Sequence, residues 1–412
     1  MLPINLHRLK FEFRRVSRIP PHTLARKAAL KLLGLMLGIV LLPITVLFHL
    51  AGYRHATVFT DRIGHLALEP DCLLKEQAMG HLSHRKWIML APQGRCANEH
   101  LLTYWLPYFH VVRNNTLCFI IASMSRWGLM RFSVDHYICA IGRAQKAYRI
   151  YAEWKDRPPT LALSAEDDQW GNEMLNKLGI PKDAWFICVH ARSSGFSMVD
   201  EKLHEHRNSH IENAIPAMFE IVKRGGWVIR IGDSTMKPLP AMEHIIDYIN
   251  HPLKSARLDI ILCAKARFLL GNTSGIALVG TIFGVPCALA NMTPISAMGI
   301  SPKDISIPKL LWSISQRRYL TFSEIFSSYL ACSQYTHTFI DAGIRLEENS
   351  SEDIKELAIE MLARLTENEA TDDDDKVLQN AFLSLLQTVH YSFGSSSSIS
   401  AKFLKRHKIL NQ

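Results

Sequence analysis

Short apolar runs alternate with amphipathic stretches along most of the chain. HATVFT at 55–60 is a β-type run, and DRIGHLALEPDCLLKEQA after it reads as a glycine-containing turn and a helix. RKWIMLAP predicts a second strand and NEHLLTYWLPYF a second helix, and the alternation continues less clearly to Tyr151. A plainer series begins at Trp185. WFICVH (185–190) is a continuous apolar run of the kind that forms a strand buried on both faces. A helical pattern then ends at Gly225-Gly226, a plausible C-cap, followed by the strand WVIRIGD and a helix over MEHIIDYI. LDIILC is a further apolar piece, RFLLG a strand, NTSGIALVGTIFG a turn and helix, and VPCALAN a closing strand.

Such alternation predicts an α/β fold with parallel strands and functional loops at their carboxyl ends. DRPPTLALSAEDDQ (156–169), with paired prolines and then acids, reads as a connector between two α/β domains, 54–165 and 166–345. Residues 346–412 read as a helical tail: an amphipathic helix with Ser or Asp caps over 350–369, the pattern QNAFLSLLQTVHY, and a basic end. TDDDD at 371–375 suits a solvated acidic linker better than a metal loop. No repeat of 20–50 residues is present.

The first 53 residues stand apart. Leu32 to Phe48 carries no charge, and the apolar character runs on to Tyr53. At 1.5 Å per residue those 22 positions reach about 33 Å, just enough for a hydrocarbon core of about 30 Å. The segment starts too far from Met1, and lacks the small-residue cleavage site, for a signal peptide. It predicts a lipid-contacting helix, with Pro43 as a kink. Two arrangements follow: a crossing with the amino terminus in the cytosol, or a segment dipping into one leaflet with its basic arm on anionic headgroups.

The 412 residues are 48% hydrophobic and 21% charged, which excludes a disordered chain and a polytopic transporter. Residues 1–31 hold eight basic side chains and one acid, +7 of the net +9, so the other 381 carry +2. That count predicts no basic globular domain and removes the main support for nucleic-acid binding. The eight cysteines form no CxxC pair, which points away from zinc clusters and disulfides and toward a reducing, cytosolic compartment.

Four places carry candidate chemistry. His190-Ala191-Arg192 follows a buried strand, where the Arg fork suits phosphate or carboxylate. Gly271-Asn272-Thr273-Ser274-Gly275 joins a strand to a helix and aims backbone N–H groups, two hydroxyls and a positive helix end at one point. It is no P-loop, because no Lys follows the glycines. Arg230-Ile231-Gly232-Asp233 ends another strand, with Asp233 able to bond a ribose or base or to cap the next helix. Together these strand ends describe a pocket for a diphosphate-linked nucleotide. In the first α/β domain, Arg62-Ile63-Gly64-His65 with Glu69 one turn on offers His65 as a general base.

GGWVIRIGDSTMKPLPAMEHIIDY, FLLGNTSGIALVGTIFGVPCALAN and IPKLLW…RRYLTFSEIF resemble a family of bacterial glycosyltransferases of surface-polysaccharide biosynthesis. RIGHLALEP at 62–70 and HYSFGSSSSISAKFLKRH are similar to its two ends, so the resemblance spans roughly 55–410. It implies a GT-B arrangement, with two Rossmann-like domains facing a cleft, an acceptor domain first and a nucleotide-sugar donor domain second, and no metal or cofactor. The family also looks distantly like fucosyltransferases whose His-x-Arg motif sets its Arg on the donor diphosphate, a role that falls on Arg192 with Thr273 and Ser274 nearby. Ser193 stands where the family motif usually has Asp, which removes any acid/base duty of that carboxylate.

The resulting expectation is a metal-independent transferase moving a sugar from a nucleotide diphosphate to a glycan or lipid-linked acceptor. Donor contacts are expected from His190, Arg192, Arg230, Asp233, Asn272, Thr273, Ser274 and Gly275, and catalysis from His65, Glu69 and Arg192. Residues 1–53 would hold it on the cytoplasmic face of the bacterial inner membrane, with no nucleic-acid partner. The alternative is a membrane-tethered nucleotide-binding or assembly protein without activity, Ser193 marking a decayed site.

Overall fold

The computed structural model describes residues 20–138, 145–195, 202–366 and 373–408. Its helices of eight or more residues are α1 (Pro21–Val40), α2 (Leu42–Leu50), α3 (Ile63–Ala78), α4 (Asn115–Met124), α5 (Gln145–Trp154) and α6 (Ala165–Lys177). They continue as α7 (Ile215–Lys223), α8 (Ala256–Lys265), α9 (Gly275–Ile282), α10 (Ser351–Thr366) and α11 (Asp373–Ser384). The chain divides into two compact units that interleave in sequence: Met1–Thr57 with Arg85–Arg95 and Tyr108–Ser133, and Val58–His84 with Cys96–Pro107 and Val134–Gln412.

The first unit is built on a four-stranded, wholly parallel sheet in the order β3-β2-β1-β4. Its strands are β1 (Tyr53–Ala56), β2 (Lys86–Leu90), β3 (Phe109–Val112) and β4 (Arg131–Phe132). Ile88, Met124 and Met130 form its buried centre, with Leu41, Tyr53 and Val112 packed on them. Here α1 lies on α4 through Gly34 and Gly38. A Cβ on Gly38 would sit 2.6 Å from the Ser123 carbonyl oxygen, so only glycine permits that approach. The predicted kink is present as a 64° bend between α1 and α2, just before Pro43. No single helix among the described residues is long and apolar enough to cross a membrane, and α1 with α2 passes that test only as a bent pair.

The second unit carries a seven-stranded parallel sheet in the order β14-β10-β9-β8-β5-β6-β7. Its strands are β5 (Phe186–Val189), β6 (Trp227–Arg230), β7 (Ile245–Asp247), β8 (Leu269–Gly271), β9 (Cys287–Met292), β10 (Ile305–Pro308) and β14 (Ser398–Ile399). A three-stranded antiparallel sheet, β12-β11-β13, accompanies it, from β11 (Leu310–Ser313), β12 (Arg318–Tyr319) and β13 (Ile344–Glu347). The α/β class with parallel sheets is therefore as expected. From β5 the chain winds outward through β6 and β7, and then returns to β5's other side to lay down β8, β9 and β10. That reversal makes a topological switch point between the carboxyl ends of β5 and β8, where open α/β sheets hold ligands.

Four expectations are corrected. MEHIIDYI is not a helix: Ile245–Asp247 pairs as β7 with Val228–Arg230, because Asp247 there answers the Arg230 guanidinium. The 156–169 stretch is no connector between compact units. Ser164 caps α6, and Asp167 in its first turn is buried against His100, Tyr104 and Arg257, all in the second unit. The expected tail is core, since β14 closes one sheet edge and Ile354, Leu357, Phe403 and Leu404 join the main apolar cluster. Asp373–Asp375 likewise open α11. Finally, the first unit is strongly basic. It contains fifteen Lys and Arg against the single acid Glu12, a net +14, which leaves −5 for the second unit out of the chain total of +9. The linear count missed this because the unit is assembled from three separated segments. The described cysteines are free, and Cys139 lies outside the described residues.

Pro70 sits inside α3, where it has no N–H for the carbonyl of Leu66. The Trp105 indole supplies that bond at 2.9 Å. Trp105→Phe is expected to lose about 1–3 kcal/mol of stability by leaving a buried carbonyl unanswered. In a Pro70→Ala background, which restores the helical donor, the loss in urea unfolding should shrink; an equal loss would refute the pairing.

Candidate functional site

The residues that follow β5 and β8 meet at the switch point. Asn272, almost fully buried, ties the ends together. Its Oδ1 accepts from the Arg192 backbone at 3.1 Å, while its Nδ2 donates to the Arg207 carbonyl at 3.0 Å and to Ser209 Oγ at 2.9 Å. Arg192 is half-buried, and its Nη1 donates to the His204 carbonyl at 2.9 Å and to Asn208. Arg207 donates from Nη2 to the Thr273 carbonyl at 2.8 Å, and the buried Lys309 reaches the Asn208 carbonyl at 2.6 Å. Burial, and then the charges of Arg207, His204, Lys309 and Arg192, push the buried His206 down to about 3, so it is neutral. Two guanidinium groups, with Lys309, whose pKa burial lowers, thus gather around the 204–209 segment that Asn272 ties to the β8–α9 turn.

That turn closes on a second helix start. A Cβ built on Gly64 would lie 2.8 Å from the Gly275 Cα, and one on Gly275 would lie 2.8 Å from the Gly64 nitrogen. The first turns of α3 and α9 therefore touch backbone to backbone. Neither start receives a side-chain cap, although Ser274 occupies the N-cap of α9, and neither first turn holds an acid. Elsewhere Asn114, Ser164 and Ser255 cap their helices in the ordinary way. Two uncapped positive helix ends meeting beside Arg207 and Arg192 form a place for an anion. The hydroxyls of Ser193 and Thr293 are buried nearby in sequence to these strand ends without a hydrogen-bond partner, and such groups call for an explanation. Thr273 Oγ1 accepts from the Thr293 N–H at 3.1 Å.

One turn into α3, His65 Nδ1 lies 2.8 Å from Glu69 Oε1. The His65 side chain is 29% exposed and that of Glu69 only 2%. When ionised, the Glu69 carboxylate accepts from Nδ1–H and leaves Nε2 as the basic nitrogen. Burial, opposed by the His65 hydrogen bond, pushes the Glu69 carboxyl up to about 7. His65 is therefore the group that can touch a substrate, and Glu69 is a positioning residue, not a second base.

Other expected contacts are placed differently. Arg230 is sealed at 1% exposure, and its Nη1 is spent on the Lys237 carbonyl at 2.9 Å and Asp247 at 3.0 Å, so it holds the following loop and not a ligand. His190 is buried, its Nδ1 bonded to the Ile231 carbonyl at 3.1 Å, and desolvation takes it down to about 4. Asp233 accepts from the Thr235 N–H of its own turn at 2.8 Å, and the next element is strand β7, not a helix for it to cap. Asn272 acts as a clamp, whereas Thr273, Ser274 and Gly275 do form the helix start. Arg207, Lys309 and Thr293 were not singled out in the sequence, though a lone Lys inside the apolar run ISIPKLLW is the kind of signal that marks a placed charge. Among the described residues no group of three or more His, Cys, Asp or Glu is arranged to hold a metal.

No family model matches the chain, and no curated protein is similar to it. Among solved structures, a family 9 glycosyl transferase from Veillonella parvula DSM 2008 is 12% identical over 75% of this chain and 97% of that one, with a TM-score of 0.41. The E. coli ADP-heptose LPS heptosyltransferase II is 14% identical over 62% and 90%, at 0.39. E. coli heptosyltransferase WaaC with ADP is 10% identical over 62% and 91%, at 0.31. With scores below 0.5 and identities under 15%, none of these likenesses bears on the chemistry of this chain.

Because Glu69 binds its proton more tightly folded (about 7) than unfolded (about 4.3), stability should fall as pH rises through that window. Asp304, raised to about 7 by burial, adds to the fall. In Glu69→Gln the drop in urea midpoint between the two ends of the window should be smaller; an unchanged drop would show that Glu69 does not titrate there. Asp247→Ala, which strands the Arg230 charge, should cost about 3 kcal/mol by the same unfolding measurement without weakening anion binding.

Proposed function

We propose that this site transfers a glycosyl group from a nucleotide-diphosphate sugar to a glycan or lipid-linked acceptor, in the biosynthesis of a bacterial surface polysaccharide. The observation that carries the reading is the glycine contact between the uncapped starts of α3 and α9 beside Arg192 and Arg207. It supports binding of a compact polyanion at the switch point of a parallel sheet, and the motif resemblance supplies the class of reaction.

In this reading the bond between the anomeric carbon and the diphosphate oxygen breaks, with its electron pair leaving on the diphosphate. On the same reading the helix N–H groups and the two guanidinium groups answer that growing charge as it develops. His65 Nε2 takes the proton of the acceptor hydroxyl while its oxygen bonds to the anomeric carbon, and Glu69 holds the imidazole and stabilises its cationic form. Ser193 supplies no acid/base group, so the proton falls to His65. Nucleotide sugars are cytosolic in bacteria, and the exposed apolar residues of α1 and α2 support a place on the cytoplasmic face of the inner membrane.

Calorimetry of the full chain against ADP-, UDP-, GDP- and dTDP-sugars should find one donor family that binds. Arg192→Ala and Arg207→Ala should each weaken that binding at least tenfold. His65→Ala should leave binding intact and lower transfer by roughly 10²-fold or more. Binding without turnover for every acceptor would instead mark a nucleotide-binding or assembly protein, and no binding at all would remove the reading.

A further inference from the structure

The geometry points to the whole first unit, and not its amino-terminal arm alone, as a docking surface that lies flat on an anionic lipid surface. This stands apart from the chemistry proposed above and rests on charge, exposure and length.

The fifteen Lys and Arg and single acid of this unit give it +14, and its described residues contain no acid at all. A protein face free of carboxylates is attracted to anionic headgroups, each Lys or Arg contributing only while it is within a Debye length. The same unit exposes large apolar side chains. From Leu32 to Val40 on α1 only Gly34, Leu37 and Gly38 turn inward, and Leu32, Met36, Ile39 and Val40 are exposed. On α2 the buried position is Thr45, while Leu47 is 65% and Leu50 75% exposed. Exposed apolar residues also occur in the folded part, on α4 and just after it: Leu117, Trp127 and Leu129. Large exposed apolar surface with cations and no anions fits a bilayer, where nucleic acid would use the charge and leave the apolar groups in water.

The bend shortens the reach of the apolar stretch. Leu32–Val40 and α2 are nine residues each, so each is about 14 Å long. Bent by 64°, they reach about 23 Å end to end, short of a hydrocarbon core of about 30 Å. Gly38 also seats α1 against the Ser123 backbone of α4, and Gly34 against the Ser123 and Arg126 side chains, so α1 cannot enter the bilayer upright without leaving the fold. Lying flat keeps that contact, sinks the exposed leucines and sets Trp127 at headgroup depth, where indoles partition well.

The test uses the full chain with an epitope tag at each end, mixed with sealed phosphatidylcholine vesicles with or without phosphatidylglycerol. Binding should require the anionic lipid, and added protease should remove both tags. One protected tag would establish a crossing and overturn the proposal. The double variant Leu117→Asp/Trp127→Glu, with α1 and α2 unaltered, should lower partitioning at least tenfold, whereas Trp127→Leu should retain it with the same melting temperature. Unchanged partitioning of the double variant would confine the contact to the arm and overturn the claim for the whole unit. Stronger retention on duplex RNA than on anionic vesicles would assign the cations to nucleic acid and overturn it as well.

Discussion

Two glycines in backbone contact govern the site. Gly64 and Gly275 open two different helices, and because neither has a Cβ the helix starts can touch. A Cβ at either position would stand 2.8 Å from backbone of the other, so the two starts would have to separate. The missing caps matter equally, since a Ser or Asp bonded to the first turn would consume the N–H groups and neutralise the positive end. Everything else at the switch point is arranged around this junction.

The surrounding charges divide into those that hold the strand ends and those bonded to the 204–209 segment and the β8–α9 turn. Arg230 and Asp247 form a closed pair that fixes the loop after β6, and His190 and Asn272 are buried in bonds to backbone. Arg192, Arg207 and Lys309 instead attach to carbonyls of the 204–209 segment and of Thr273, so the segment and the cations are placed together. In α3, Pro70 and Trp105 fix the helix that carries His65, and the buried Glu69 fixes the imidazole. His65 and one of the two uncapped helix starts thus lie on the same first turn of α3.

The distribution of charge adds a second organising feature. A unit with almost no carboxylates carries the apolar helices, and the acid-rich unit carries the site. The proposed lipid contact and the candidate anion site therefore fall in different units of one chain.

The sequence by itself determined the elements whose signal is local. Buried strands such as Phe186–Val189, the turn and helix at 271–282, the helix after Arg62 and the kink at Pro43 follow from apolar runs, glycine and proline, which act over a few residues. Its motifs also marked Arg192, His65 and the Thr273–Gly275 turn. Tertiary structure decided whatever depends on partners distant in sequence. Ile245–Asp247 became a strand because Arg230 required a carboxylate, the tail became core because the sheet had an edge to close, and Glu69 became a support because the fold buried it. Arg207 and Lys309 were invisible for the same reason: their carbonyl partners lie 66 and 101 residues away. The basic unit stayed hidden because three separated segments fold into one, and a linear charge count has no access to that sum.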